Sequence, residues 1–121
     1  MPEPEPGPVH FECSQPILRV EDMQAALRFY VELLGFQKAP WGSADFTSVS
    51  RDRAAIYLCR GAQGRGGAWV WIGVEDAQAL HDEWKARGVK IVEGLTNYSW
   101  ALEFRIEDPD GNVLRVGSEP R

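Results

Sequence analysis

VEDMQAALRFYVELLGF, residues 20–36, and VEDAQALHDEWKARGV, residues 74–89, decide how this chain is read. Laid over each other at an offset of 54 residues, Val20-Glu21-Asp22-x-Gln24-Ala25 matches Val74-Glu75-Asp76-x-Gln78-Ala79 in five of six positions. Each copy follows a β-like run, QPILRV in one case and WVWIGV in the other. Each then continues with apolar residues at helical spacing: Met23, Ala26, Leu27, Tyr30 and Leu34 in the first, Ala77, Leu80 and Trp84 in the second. Asp22 and Asp76 stand where a helix N-terminus wants a side-chain acceptor, and Gly35 and Gly88 where its C-terminus wants a left-handed residue. Three short β-rich segments come next in each half, FQKAPW, DFTSVS and AAIYLC, then VKIVEG, ALEFRIE and NVLRVG. Asp108-Pro109-Asp110-Gly111 supplies a type I turn between the last two. The pattern predicts an α+β fold of two βαβββ modules, about residues 11–60 and 67–118, within one domain over 11–121. Glycine-rich RGAQGRGGA, residues 60–68, reads as the linker, because it lacks the G-x-G-x-x-G order of a phosphate cradle and leads into a strand.

Bulk properties narrow the function. The net charge of −5 argues against a nucleic-acid partner, which needs a basic face. No apolar run reaches the ~18 to 20 residues of a membrane span, and the opening MPEPEPGPVH has neither the basic nor the apolar part of a signal peptide. Residues 1–10, proline-rich and acidic, are expected to form a disordered arm. Cys13 and Cys59 make no disulfide framework, so a cytoplasmic setting is expected and both read as small buried residues.

Alternation along strands assigns the faces. Leu18, Ile56, Leu58, Ile72, Phe104, Ile106, Leu114 and Val116 point towards the helices and build the core. The opposite face carries Cys13, Gln15, Ile17 and Arg19 on the first strand, Tyr57 on the fourth and Trp69 and Trp71 on the fifth. Glu103, Arg105 and Arg115 join it from the last two strands, and a buried charge there needs a partner, so Glu103 is expected to pair with an arginine.

With LRVEDMQAALRFYVELLGF, VEDAQALHDEWKARGV and EDPDGNVLRV, the chain resembles the vicinal oxygen chelate superfamily, which includes glyoxalase I, extradiol dioxygenases and bleomycin resistance proteins. Through AWVWI, DFTSVSRDRAAIYL and WALEFRIEDPDGN it is most similar to the bleomycin resistance proteins. The resemblance implies sheets curled around a concave cavity, with helices outside, and a homodimer whose ligand grooves are shared between chains. It also implies that Phe46 and Trp100 line a drug groove; Tyr98 lies close by in sequence, and Trp41, before Gly42, reads as a loop or groove-edge residue. Together with Tyr57, Trp69, Trp71, Glu103, Arg105 and Arg115 these are the candidate ligand-binding residues.

The superfamily's enzymes hold a divalent metal through side chains on four strands. Carried over one by one, those places are Gln15, Tyr57, Trp69 and Arg115. An indole cannot ligate and a guanidinium repels a cation, so neither a metal nor another cofactor is expected. Three functions compete. The first is a metal-free binder that sequesters a planar or aromatic small molecule such as an antibiotic. The second is a lyase or dioxygenase-type enzyme, which would have to use Glu103 or Tyr57 as its base. The third is a dimeric scaffold without ligand. The binder is favoured because no acid–base pair stands out and aromatic walls with few polar groups suit a small-molecule site.

Overall fold

A run that begins with a strand, caps a helix with aspartate and closes it with glycine has one economical outcome, and both halves reach it. A computed structural model describes residues 7–61 and 63–121. The first half runs β1 (Ile17–Arg19), α1 (Met23–Leu27) with a π-helical continuation (Arg28–Leu33), β2 (Gln37–Lys38), β3 (Phe46–Arg51) and β4 (Ala54–Cys59). The second runs β5 (Trp69–Gly73), α2 (Ala77–Ala86), β6 (Ile91–Asn97), β7 (Leu102–Glu107) and β8 (Val113–Ser118). Each half forms a four-stranded mixed sheet, ordered β1-β4-β3-β2 and β5-β8-β7-β6. In each, the strand before the helix pairs parallel with the last strand and the remaining pairs are antiparallel. The expected α+β fold of two βαβββ modules is what forms. None of its helices among the described residues is long and apolar enough to cross a membrane.

The caps behave as their chemistry requires. The Asp22 carboxylate accepts from the backbone N–H groups of Gln24 and Ala25, and that of Asp76 from Ala79. Gly35 (φ 80°) and Gly88 (φ 88°) end the helices in the left-handed region. One detail breaks the repeat. Thirteen positions separate Asp22 from Gly35 but twelve separate Asp76 from Gly88. The π-helical turn, closed by the Leu34 N–H on the Phe29 carbonyl at 3.0 Å, takes up the extra residue. Tyr30 and Leu34 therefore stay on the buried face.

The helix-facing sides of both sheets share one core. Leu18, Ile56 and Leu58 from the first half join Phe104, Ile106, Leu114 and Val116 from the second, with Tyr30, Leu34 and Trp84 between them. Polar groups stitch the same seam. The Trp84 indole N–H donates to the Leu34 carbonyl (3.1 Å), the Tyr30 hydroxyl donates to Asp108 (2.9 Å), and Arg51 pairs with Glu83 (2.8 Å). Burial and then the Asp108 charge push the Tyr30 phenol well above its usual range, so it stays a donor. The turn after β7 serves the seam as well. Gly111 N–H closes it on the Asp108 carbonyl (3.1 Å), and buried Asn112 donates both to Asp108 (2.8 Å) and to the Arg19 carbonyl of β1 (3.1 Å). With both inner faces turned to one core, the outer faces of both sheets are left open.

Two expectations need correction. Cys13 is exposed and only Cys59 is buried. The first strand also begins later than its sequence pattern predicts, since residues 7–16 carry no regular structure and β1 starts at Ile17. Pro16 has no N–H to give a ladder, while its carbonyl still accepts from Tyr57 N–H at 2.9 Å, so pairing starts there and does not extend backwards. Cys13 and Gln15 are therefore not strand residues. The expected arm of residues 1–10 lies outside the described residues up to position 6, and residues 7–14 are exposed. The glycine linker does more than span a gap: a Cβ at Gly64 (φ 78°) would stand 2.9 Å from the Ile17 carbonyl, so glycine lets this segment lie against the edge of β1.

Candidate functional site

On the outer face of the second sheet, β5 ends in Trp71-Ile72-Gly73, and β8 carries Arg115-Val116-Gly117 just before its last residue, Ser118. Gly73 and Gly117 are directly paired, and Trp71 is directly paired with Arg115. The Trp71 indole lies over both glycines: a Cβ at Gly73 would come within 2.8 Å of its ring, and one at Gly117 within 3.1 Å. The two glycines thus form a seat that lets a large ring lie flat on the sheet. The ring is also tethered, its N–H donating to Glu103 at 3.1 Å. Trp71 nonetheless keeps 58% of its surface exposed, so a fixed aromatic face looks outward.

Glu103 organises this face. It is 5% exposed, and one carboxylate oxygen accepts two bonds from Arg115, at 2.9 and 2.7 Å, while the other takes Trp71. Removal from water raises its pKa, but the hydrogen bonds from Arg115 and Trp71 and the Arg115 charge outweigh that, leaving the carboxyl below its usual range. Trp100 is 62% exposed and stacks in parallel on Tyr98, with ring centres 4.5 Å apart. A cavity of about 520 Å³ opens here, lined by Trp71, Trp100, Glu75, Ser118 and Glu119 with the backbone of both glycines.

Arg105 and Arg115 lie directly opposite each other across β7 and β8, an arrangement that like charges resist. Each is answered. Arg115 has Glu103, and Arg105 has Glu93 of β6 at 3.1 Å while its guanidinium sits 5.0 Å over the Trp69 ring. The pairing expected for Glu103 is present, and a second pair neutralises the other arginine.

The first sheet carries its own aromatic group. Phe46 lies 5.2 Å from Tyr57 and 6.2 Å from Trp41 between ring centres, the latter pair stacked. A tight loop holds Trp41 in place: Gly42 (φ 120°) leaves no room for a Cβ, which would meet the Phe46 carbonyl at 2.6 Å, and the Thr47 hydroxyl donates to the Trp41 carbonyl at 3.0 Å. The ten candidate residues therefore gather as two groups, Trp41, Phe46 and Tyr57 on or beside one sheet and the remaining seven on or beside the other, with Trp41, Tyr98 and Trp100 in loops. No aromatic pair, hydrogen bond or ion pair among the described residues joins them.

Sequence reasoning missed Gly73, Gly117, Glu93, Glu75 and Glu119. A signal existed for the glycines, since each follows a face residue by two positions and so shares its side of the strand. The glutamates gave none, because their partners and neighbours come from other strands.

The donor set does not suit a metal. Of the four places where superfamily enzymes would carry ligands, Trp69 offers an exposed indole and Arg115 is engaged by Glu103. No group of three or more His, Cys, Asp or Glu that could hold an ion occurs among the described residues.

The profile of the Glyoxalase/Bleomycin resistance protein/Dioxygenase superfamily matches residues 7–116. No curated protein sequence matches. Among solved structures, the chain is similar to a bleomycin-binding protein from bleomycin-producing Streptomyces verticillus complexed with copper(II)-bleomycin, at 29% identity and TM-score 0.78, over 91% of this chain and 98% of that one. TnmS3, an antibiotic binding protein from Streptomyces sp. CB03234, matches at 24% identity and TM-score 0.78 over 92% and 98% of the two chains. Lactoylglutathione lyase from Agrobacterium tumefaciens matches at 21% and 0.69 over 88% and 92%. At the last two identities the likeness is one of fold.

Proposed function

The chain belongs to the glyoxalase/bleomycin resistance protein/dioxygenase superfamily, and from that premise we propose that it binds a planar aromatic small molecule, such as an antibiotic, by stacking and without a metal. The observation that carries this reading is the Trp71 indole, laid flat on Gly73 and Gly117, tethered to Glu103 and open on its outer face. An indole buried for packing needs no such seat. A ring held rigid before a ligand arrives loses little freedom on binding, which favours affinity. The similarity to a bleomycin-binding protein supports an antibiotic-like ligand. The Trp41, Phe46 and Tyr57 group would form the opposing wall, brought over the Trp71 face of a second copy in a homodimer.

Intrinsic fluorescence tests the reading. Titrating the full chain with bleomycin, a quinoxaline and a flavin should give saturable quenching with at least one of them. Trp71→Ala should weaken that binding by roughly 1 to 3 kcal/mol, the scale of losing an aromatic anchor. An affinity that neither Trp71→Ala nor Trp100→Ala changes would reject the site.

A further inference from the structure

We infer that the ligand carries a cationic group, an amine or a guanidinium, received in the cavity between Trp71 and Trp100 by Glu75 and Glu119. This rests on the proposal that the same face stacks a planar ring. The argument begins with the arginines, whose presence on the face otherwise favours an anion. Both are already neutralised, Arg115 by Glu103 at 2.7 Å and Arg105 by Glu93 at 3.1 Å. An anionic ligand would have to displace a carboxylate from one of them and leave it uncompensated.

The cavity itself shows the opposite balance. Its volume of about 520 Å³ fits a drug-sized fragment, and no Lys or Arg lines it. Glu75 and Glu119 both line it, and neither makes a hydrogen bond or ion pair through its carboxylate among the described residues. Arg121, two residues beyond Glu119, gives its guanidinium to the Gln78 side-chain oxygen instead. The same cavity is lined by the indoles of Trp71 and Trp100, whose π faces are negative and attract organic cations, and Glu75 and Glu119 follow the paired Gly73 and Gly117 by two residues each. Each indole is backed on one side, Trp71 by paired glycines and Trp100 by Tyr98, so each has one face to offer. The net charge of −5 steers cations towards the protein as a whole.

Three acridines of nearly equal size separate charge from stacking: 9-aminoacridine as cation, acridone as neutral ring and acridine-9-carboxylate as anion. Calorimetric titration of the full chain should show the cation binding at least tenfold more tightly than acridone, with the carboxylate weakest. Raising the salt from about 50 to 500 mM should shrink that ratio, since rim charges are screened. In the Glu75→Gln/Glu119→Gln double variant, with its fold checked by circular dichroism, the ratio should fall towards one. Equal affinity for all three acridines overturns the inference while leaving the stacking proposal in place. A cation preference that survives in the double variant overturns the assignment to Glu75 and Glu119. Saturable binding by none of the three defeats the stacking proposal, and the inference falls with it.

Discussion

Glu103 is one residue on which a whole face depends. It is 5% exposed, holds Arg115 through one oxygen and steadies the Trp71 indole through the other. Glutamine in its place keeps the shape but leaves Arg115, a third exposed, without its counter-charge. Glu103→Gln is expected to lower stability by about 1 to 3 kcal/mol, as for a hydrogen bond to a charged group. The sign of the pH dependence follows from the carboxyl being held below its usual range in the folded chain. Its contribution is complete above the unfolded carboxyl's value of about 4.3 and drains away as the pH falls through the lower folded value. Urea denaturation at neutral pH should therefore separate the wild type from Glu103→Gln, and the gap should narrow in acid. A gap that widened below pH 4 would contradict the arrangement.

At the scale of elements, the ends of β5 and β8 are specialised. Paired glycines at the end of two parallel strands weaken local pairing by their own entropy, and Trp71 fills the space they leave. Gly73→Ala puts a methyl group 2.8 Å from the ring, so the indole must lift off the sheet. The expected result is a red-shifted tryptophan emission and loss of saturable quenching by whichever ligand binds the wild type, with a cooperative unfolding transition retained. Unchanged emission would show that the seat is not needed. The helices carry a parallel lesson, because the π-helical turn of the first one absorbs a residue that the second lacks and so keeps Tyr30 against Asp108. The extra residue is countable in the sequence, but which turn widens to absorb it depends on the far side of the seam.

For the whole molecule, the shared core has a cost. With both sheets turned inward, Trp41, Trp69, Trp71 and Trp100 are exposed together with Phe11, which is 98% exposed ahead of β1. Each of the two aromatic groups exposes apolar surface of the kind that marks an interaction site. Light scattering at micromolar concentration is expected to return twice the 13.6 kDa of one chain, and Phe11→Ser should shift the equilibrium towards monomer. A single 13.6 kDa species at all concentrations would leave the two aromatic groups as separate half-sites.

The sequence alone determined whatever depends on neighbours a few positions away. Asp22 and Asp76 cap their helices, Gly35 and Gly88 end them, and alternation sends Leu58 and Leu114 inward and Trp69 and Trp71 outward. These are effects of spacing and of single side chains on their own backbone, and the internal repeat doubled the signal. The start of β1 is not legible in QPILRV, because Pro16 lacks an N–H but keeps a carbonyl, and only the pairing with β4, where that carbonyl accepts from Tyr57 N–H, shows that the strand begins beyond it. What tertiary structure decided is everything carried between strands distant in the chain. It chose Arg115 rather than Arg105 as the partner of Glu103, added Trp71 to the same carboxylate, and placed Glu93 beside Arg105, so that both arginines of the face are neutralised. It also gathered the ten candidate residues in two groups, one beside each sheet. Charge balance and cavity shape are sums over neighbours in space, and on this face those neighbours come from distant parts of the chain, as Trp71 and Glu103 do at a separation of 32 positions.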